Sequence, residues 1–388
     1  MILKNLYSVS EDNWVDIRYS EGVIRDVLPY SNIETSSDEP SLTFENALVF
    51  PGLINSHDHL DFNCFPRLGH HHYLNYVEWG KDIHQVDKEV IDKVLHIPQD
   101  LRVNWGIYKN LLNGITTVVN HGPYLDVKDS PIHVFQDCNV LHSVRLEKAW
   151  ILKLNRPGFQ KLPFVVHIGE GTDEASHNEI QKLLHWNLFN RELIGIHGVA
   201  MDTEQAKSFK ALVWCPDSNR FLLGKTADVK NLKNSTKLVF GTDSTVSANW
   251  NIWEQIRVAR DYNMVSDNEL YDMLTINPAG VWRQKSTGRL AKDYHADIVI
   301  AKNEENKTGM STLFDLNPKD ILMVIKNGNI MCFDGSLEQQ LKHGGQDLTG
   351  FSTIFLNGNL KFVRGDLPGL IKRILEYYPE ANFPVTIS

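Results

Sequence analysis

Short apolar runs alternate with longer amphipathic segments through the middle of the chain, and this order constrains the fold more than any other feature. It is typical of repeated strand–helix units, which build parallel sheets and barrels, and it predicts an α/β fold. Six strands are predicted, at residues 47–54, 116–120, 164–168, 193–197, 212–215 and 238–241. Five helices are predicted, at residues 90–112 with a break at Pro98, 175–187, 203–210, 252–261 and 267–275.

A TIM-type (β/α)₈ barrel takes about 250 residues, and the alternating region, residues 50–290, has a similar length. An eight-stranded barrel requires two more strands between Asn120 and Phe164. Only residues 140–146 and 149–154 offer apolar runs there. We therefore expect residues 50–290 to form a metal-binding barrel domain that is irregular around its third and fourth strands.

Both ends of the chain, residues 1–49 and 291–388, carry short β-like runs separated by turn-forming residues. Residues 296–300 and 321–332 look like strands, the second group with an Asn327-Gly328 turn. A hairpin at 351–363 and a helix at 367–378 extend the C-terminal part. Because the two groups flank the middle region, we expect them to combine into one small composite β-sandwich domain.

Composition narrows the classes of partner. The formal net charge is −9 and no basic run is present, which argues against a nucleic-acid or membrane partner. No apolar stretch approaches the roughly 18–20 residues of a membrane span, and the first residues lack a secretory pattern. Four scattered cysteines without a Cys-x-x-Cys pair argue against a zinc ribbon or a disulfide framework. A cytoplasmic protein with a small-molecule substrate is expected, and homo-oligomer formation is left open.

Histidines at predicted strand ends indicate a metal site. His57 and His59 follow an apolar strand and are one residue apart, so they project to the same side. His167, His197 and Asp243 end three later strands of the same kind. Barrel active sites assemble at the carboxyl ends of the strands, where these side chains would converge. Imidazoles with a carboxylate suit Zn²⁺ or Fe²⁺ better than Mg²⁺ or Ca²⁺.

Glu170 follows His167 by three residues and would lie beside the metal. A catalytic ion lowers the pKa of its bound water from about 15.7 toward 7, which makes hydroxide available at neutral pH. A neighbouring carboxylate can carry protons between that water and a leaving nitrogen, a contribution of about 10²–10⁴ in rate. The alternative is a carboxylate that complements a helix start.

These motifs, taken in order, resemble those of the amidohydrolase superfamily, and the resemblance covers nearly the whole chain. Residues 51–59, ending in His57-Asp58-His59, resemble its first-strand motif, and residues 113–118 resemble its second-strand entry. The fifth, sixth and eighth strand ends are similar to 167–170, 197–198 and 241–244, and residues 275–279 and 288–300 resemble the exit from the barrel. The Cys-Pro-Asp-Ser-Asn run at 215–219 is similar to the branch of cytosine, guanine and S-adenosylhomocysteine deaminases and triazine hydrolases.

The resemblance implies one divalent ion per chain, Zn²⁺ before Fe²⁺. Its ligands would be His57, His59, His167 and Asp243, and Asp243 would also accept a proton from the nucleophilic water. His197 would orient that water or polarise the group under attack. Binuclear members of the family use a carboxylated lysine instead, for which Lys148 and Lys153 are the candidates.

Substrate contacts are less constrained by the sequence. Arg67, Trp79, His121 and Asn219 are candidates, although Arg67 could be solvated and Trp79 could pack in the core. The favoured function is hydrolytic deamination of a cyclic amidine-type or heterocyclic small molecule, with metal hydroxide as nucleophile and Glu170 as proton shuttle. The alternatives are hydrolysis of a cyclic or linear amide bond, and a binding protein that has lost its chemistry.

Overall fold

A computed structural model describes residues 1–31, 39–157, 162–303 and 307–387. The strands are β1 Ile2–Ser8, β2 Asn13–Ser20, β3 Val23–Pro29, β4 Ser41–Pro51, β5 Leu53–Asp58, β6 Ile115–Asn120, β7 His133–Phe135, β8 Asn139–Ser143, β9 Phe164–Ile168, β10 Leu193–His197, β11 Ala211–Trp214, β12 Lys237–Phe240, β13 Ile298–Lys302, β14 Ile321–Lys326, β15 Asn329–Asp334, β16 Phe351–Leu356, β17 Asn359–Arg364 and β18 Val385–Thr386.

The helices cover or overlap all five predicted segments, with the first divided at Pro98 as expected, although the one predicted at 203–210 ends at Ala206. The strand predicted at 47–54 is divided at Gly52 between the end of β4 and the start of β5. They are α1 Tyr76–Val86, α2 Lys88–His96, α3 Gln99–Leu112, α4 Trp150–Leu154, α5 Glu174–His185, α6 Thr203–Ala206, α7 Pro216–Leu223, α8 Val229–Leu232, α9 Ile252–Asp261, α10 Asp267–Leu274, α11 Ile276–Val281, α12 Glu338–His343 and α13 Leu367–Tyr377.

Strands β5 to β12 are parallel and lie in two sheets, one of three strands in the order β5-β6-β7 and one of five in the order β12-β11-β10-β9-β8. The ends of β12 and β5 are joined by main-chain hydrogen bonds. The N–H groups of Thr242 and Asp243 donate to the carbonyl of His57 at 3.1 and 3.0 Å. These bonds bring the polar residues that follow the two strands to one place.

The region between β6 and β9 corrects one prediction. Residues 149–154 are not a strand, because Trp150–Leu154 is helix α4. Trp150 and Leu154 are its buried residues, and their spacing of four matches the helical period rather than the strand period. The missing strand is instead β7, only three residues long, and β8 overlaps the run predicted at 140–146. Three residues separate β7 from β8, so this part of the parallel array lacks the usual crossover helix.

The remaining strands of the two chain ends pair in one ten-stranded sheet, in the order β18-β16-β17-β15-β14-β13-β4-β1-β2-β3. Strand β4 runs parallel to β1 and antiparallel to β13, so the N-terminal and C-terminal parts meet directly. Its alternate side chains enter different cores: Leu48 and Phe50 pack with the helices around the parallel strands, and Ala47 and Val49 pack with β1 and β13. The hydrogen bonding thus unites both chain ends in one sheet, and the packing of two sheets into a sandwich stays a prediction.

Within the described residues, no helix is both long and apolar enough to cross a membrane. The cysteines are all free thiols: Cys64, Cys138, Cys215 and Cys332.

Candidate metal centre and its cavity

The predicted metal ligands converge at the carboxyl ends of the parallel strands. One ring nitrogen from each of His57, His59 and His167 lies within 4.8 Å of the others. A second group of three, His57, His197 and Asp243, meets the same limit and shares His57. The Nε2 atoms of His59 and His167 are 3.2 Å apart, and Nε2 of His57 is 3.7 Å from Oδ1 of Asp243. The structure therefore brings all five predicted residues into one cluster.

Hydrogen bonds set the orientation of two of these imidazoles. Nδ1 of His167 lies 2.9 Å from the main-chain carbonyl of His142, and Nδ1 of His197 lies 2.9 Å from Oδ1 of Asn219. A carbonyl oxygen only accepts, so each Nδ1 carries the hydrogen and each Nε2 keeps a free electron pair. Metal-binding histidines are usually held in this way.

Burial keeps the imidazoles neutral. Desolvation lowers the pKa of His57 and His167 well below the usual value, and the neighbouring histidines lower it further. Burial also lowers the pKa of His197, although Asp243 opposes this shift. Both ring nitrogens of His57 are buried and have no hydrogen-bond partner among the described residues. Neutral, unpartnered ring nitrogens facing one point are what a divalent metal ion requires, so the residues present fit the ion.

Asp243 is held as a carboxylate. Burial alone would raise its pKa, but the nearby His197 and His59 lower it, and hydrogen bonds lower it further. Oδ1 accepts from the N–H of Ser244 at 2.7 Å, and Oδ2 accepts from the hydroxyls of Ser218 and Ser247 at 2.9 and 3.1 Å. The net result is a pKa below the usual range for an aspartate.

Two residues of the cluster have left-handed backbone conformations. His197 has φ of 71° and Asp243 has φ of 56°, in a region that residues other than glycine rarely adopt. Such conformations cost on the order of 1–3 kcal/mol and persist where the surrounding structure enforces them. The backbone at the end of β10 and after β12 is therefore held in this conformation by the surrounding structure of the site.

Glu170 is buried beside this cluster, with Oε1 3.6 Å from Nε2 of His197. Burial raises its pKa well above the usual value, and the negative charges of Asp243 and Glu179 raise it further. It precedes helix α5, whose N-cap is Asp173, so Glu170 is not the capping residue. A carboxyl that holds its proton at neutral pH can act as an acid toward a bound molecule.

A cavity of about 320 Å³ opens onto the cluster and is mostly apolar. His59, His167, Glu170, His197 and Asp243 form its polar end. The other described lining residues are Phe62, Phe65, Leu68, Tyr76, Trp79, Gly80, Ile83, His84, Ile91, Leu95, His142, Leu146, Leu222, Ser244, Val246 and Ser247. None of these lining residues is a lysine or an arginine.

Of the four predicted substrate contacts, Trp79 alone lines this cavity, and its indole N–H donates to the carbonyl of Leu68 at 2.7 Å. Arg67 pairs with Asp217 and stacks on Phe221 instead. Asn219 is fully buried behind His197, where it orients the imidazole rather than facing the cavity. The structure thus places Arg67 and Asn219 away from the position where a substrate would contact them.

His121, the fourth predicted contact, lies within the histidine cluster. Its ring centroid is 4.3 Å from that of His167 and 5.3 Å from those of His57 and His59. The side chain is buried, and neither ring nitrogen has a hydrogen-bond partner among the described residues. The sequence carried a signal for this position, because His121 follows the end of β6 much as the other histidines lie at the ends of their strands.

Several site residues were not predicted. His142 supplies the carbonyl that orients His167 and lines the cavity, and Ser218 and Ser247 bind Asp243. Ser218 lay within the 215–219 motif, which was the available signal. His142 and Ser247 carried none, because their roles depend on contacts with residues far along the chain.

The lysine candidates for a binuclear site lie at the surface. Lys148 is exposed, and Lys153 on α4 pairs with Glu147 at 2.9 Å. The three histidines at 70–72 are also peripheral, and His70 contacts Asp87 at 2.9 Å. None of these residues lines the cavity described above.

Comparison with known proteins gives concordant results. A 5-methylthioadenosine/S-adenosylhomocysteine deaminase of Caldicellulosiruptor saccharolyticus is 30% identical over 200 residues, 45% of this chain and 47% of that relative. The match thus spans about half of that relative's length. A protein of the same name from Pyrococcus furiosus is 23% identical over 407 aligned positions, 86% of this chain and 96% of that relative.

Among solved structures, an adenosine deaminase from Xanthomonas campestris with bound zinc superposes with a TM-score of 0.72. It is 15% identical, and the superposition covers 98% of both chains, so the two share a fold. The amidohydrolase family model matches residues 158–331, which contain His167, Glu170, His197 and Asp243. Residues 158–331 of this chain are therefore similar to the amidohydrolase family.

Proposed function

We propose that the protein is a metal-dependent hydrolase that deaminates an uncharged heterocyclic small molecule. The observation that carries this proposal is the place of Glu170, which is buried close to Asp243 and whose pKa is therefore raised well above the usual value. Its carboxyl lies at the polar end of an apolar cavity, next to the histidine cluster and to Asp243, whose pKa is lowered. Deamination needs a proton donor for the departing nitrogen and a base for water in the same space. The raised pKa of Glu170 suits the donor, and the lowered pKa of Asp243 suits the base.

We propose one zinc ion per chain, held by His57, His59, His167 and Asp243, with Fe²⁺ as the alternative. The donor set and the unpartnered nitrogens of His57 support this assignment. So does the zinc in the similar adenosine deaminase from Xanthomonas campestris. When bound, such an ion supplies Lewis-acid chemistry and makes water more acidic.

The side chains then have distinct tasks. Asp243 is ionised and accepts the proton of the attacking water. Glu170 donates its proton to the ring nitrogen next to the carbon under attack, takes up the second proton of the attacking water, and passes that proton to the departing amine. The proton held by Asp243 restores Glu170 after ammonia leaves. His197, with its hydrogen on Nδ1, presents Nε2 toward Glu170 and Asp243 and so orients the reacting oxygen. The apolar walls exclude bulk water and position the heterocycle, with Trp79 available for stacking.

The cavity also favours a class of substrate. With no lysine or arginine among its lining residues, a phosphate or carboxylate would be desolvated there without a cationic partner. Both relatives are named for 5-methylthioadenosine and S-adenosylhomocysteine. We propose that a compound without charged groups, such as 5-methylthioadenosine, is preferred over S-adenosylhomocysteine, which carries a charged amino acid. Hydrolysis of an amide bond by the same residues stays the alternative.

The proposal extends to architecture. We propose that the eight parallel strands enclose a TIM-type barrel at residues 50–290, since the hydrogen bonds to the His57 carbonyl link the outer strands of the two sheets. Residues 1–49 and 291–388 would then form the second domain. Cytoplasmic location and homo-oligomer formation stay predictions.

The test combines metal analysis with ammonia release. Purified protein is expected to hold close to one zinc per chain. The substrates to compare are 5-methylthioadenosine, S-adenosylhomocysteine, guanine and simple cyclic amides, and ammonia should be released fastest from 5-methylthioadenosine. His59→Ala should lose metal and activity together. His70→Ala, which removes an exposed histidine, serves as the control and should retain both. Two ions per chain, or turnover of the amides without ammonia release from the heterocycles, would refute the proposal.

A further inference from the structure

Asp58, the last residue of β5, lies between His57 and His59 in the sequence and has its own buried partner. Strand alternation sends Asp58 to the face opposite His57 and His59, where it meets helix α3. Its side chain is fully buried. Oδ2 lies 2.9 Å from Nζ of Lys109 and accepts from the side-chain amide of Asn110 at 2.7 Å, and Oδ1 accepts from that of Asn63 at 2.9 Å.

Lys109 also reaches the other ligand-bearing strand end. Its ammonium donates to the main-chain carbonyl of Asp243 at 3.3 Å, and its side chain is only 1% exposed. One buried cation therefore touches the strand of His57 and His59 on one side and the left-handed turn of Asp243 on the other. The hydroxyl of Thr242 donates to the same carbonyl at 3.0 Å, so this turn is fixed from two directions.

A buried ion pair is rarely a net gain in stability, because desolvation of the two charges offsets their attraction. The pair does fix geometry, since both ions must stay within hydrogen-bond distance. We propose that Lys109 is a positioning residue of the metal centre, holding the ends of β5 and β12 at the separation that lets their side chains bind one ion. This inference rests on the proposed zinc site.

The ten-stranded sheet offers a matched ion pair for comparison. Lys361 is also 1% exposed, and its Nζ lies 2.8 Å from Oδ2 of Asp334. It donates to the main-chain carbonyls of Lys319 and Ile321 at 2.7 and 2.6 Å. This second pair has the same chemistry as the Lys109–Asp58 pair but touches none of the proposed metal ligands. Variants of this second pair therefore measure the stability lost with a buried ion pair, apart from any effect on zinc binding.

The experiment measures the zinc affinity of metal-free protein by competition with a chromophoric chelator, together with thermal unfolding of the same samples. The variants are Lys109→Met, Asp58→Asn/Lys109→Met, Lys361→Met and Asp334→Asn/Lys361→Met. The double variants leave no buried charge unpaired, so they should stay folded where a single substitution does not.

We expect both Lys109 variants to bind zinc about 10- to 100-fold more weakly than the wild type, as is typical when a partner behind the ligands is lost. Lys361→Met should lower the unfolding temperature, because it leaves Asp334 without its partner, and both Lys361 variants should keep the wild-type affinity. If the wild type binds zinc and Asp58→Asn/Lys109→Met binds it equally well, Lys109 is structural only and the inference is wrong. If the wild type does not bind zinc, the proposed function itself fails.

Discussion

At the scale of single residues, two carboxyl groups of the site have pKa values shifted in opposite directions. Asp243 accepts hydrogen bonds from Ser244, Ser218 and Ser247, and these bonds, with the nearby imidazoles, favour its ionised form. Burial and the charge of Asp243 raise the pKa of Glu170, which favours its protonated form. A pair of acids separated in this way can serve as base and acid in one reaction.

Glu170→Gln tests the acid. The amide keeps the size of the side chain but has no acidic proton to transfer, so kcat should fall about 10²-fold or more while metal content stays near the wild-type value. Metal analysis and steady-state kinetics measure the two quantities separately. Glu174→Gln, an exposed change in the first turn of α5, is the control and should leave both unchanged. A Glu170→Gln protein with normal turnover would remove Glu170 from the mechanism, and loss of metal would make it a ligand.

Glu179 gives a prediction about pH and stability. Its carboxylate accepts from the N–H of Gly169 at 2.7 Å and from the hydroxyl of Tyr76 at 3.3 Å, yet burial raises its pKa to about 7. Between the unfolded value, about 4.3, and the folded value, the folded state binds more protons than the unfolded state. The free energy of unfolding therefore falls as pH rises through this range, by up to about 4 kcal/mol.

Glu179→Gln should abolish this pH dependence, because the amide cannot ionise but can still accept from Gly169. Urea unfolding at pH 5 and pH 7.5, at equal metal loading, should show the variant gaining stability relative to the wild type at the higher pH. A stability difference that is the same at both pH values would contradict the assignment.

At the scale of secondary structure, helix α3 is the element that most directly supports the metal-binding strand ends. It carries Lys109 and Asn110, which contact Asp58, and it packs closely against the turn after His59. A β-carbon added at Gly106 would lie 2.2 Å from the carbonyl oxygen of Leu60, so only glycine permits this approach. The helix and the turn are thus in direct main-chain contact.

Gly106→Ala should push α3 away from the turn after β5. We expect a loss of about 1–3 kcal/mol in the free energy of unfolding, as for other over-packed sites, together with weaker zinc binding. Denaturant unfolding and chelator competition measure these effects. Gly280→Ala in α11 is the control, because a β-carbon there meets nothing within 4 Å, and it should be neutral or stabilising by up to about 1 kcal/mol. Equal behaviour of the two variants would show that the approach is not tight.

At the scale of the whole molecule, the ten-stranded sheet makes the two chain ends interdependent. Strand β4 lies between β1 and β13, and one residue, Gly52, separates it from β5 and its histidines. The N-terminal strands therefore support the segment that leads into the proposed metal centre.

A chain that begins at Leu48 tests this dependence. It lacks β1, β2, β3 and the first seven residues of β4. The remaining residues 48–51 can still pair with β13 but have lost β1 on their other side, which exposes a strand edge, so we expect aggregation. Solubility after expression and size-exclusion chromatography provide the measurement. Removal of residues 385–388, which contain the two-residue edge strand β18, is the milder control. A soluble and fully active chain starting at Leu48 would show that the two ends are independent.

The sequence alone predicted the features that depend on local pattern. The period of the apolar residues identified five of the parallel strands and, in whole or in part, five helices, whereas residues 47–54 divide at Gly52 between β4 and β5. His57, His59, His167, His197 and Asp243 were proposed as one site because each lies at or just after a predicted strand end. Parallel strands end at one edge, so their convergence followed from topology. The same logic failed at residues 149–154, where a five-residue helix is too short for its period to be distinguished from that of a strand.

Tertiary structure alone decided the features that depend on distant neighbours. Arg67 is paired with Asp217, 150 positions away, and this contact removes it from the cavity that it was predicted to line. Asn219 orients His197, and Lys109 joins Asp58 to the turn of Asp243. Periodicity reports which face of a strand or helix is buried, but not which charged or polar partner meets a side chain there. Those partners set the pKa values and the orientations of the site residues, because electrostatic and hydrogen-bond energies depend on distance in space rather than along the chain.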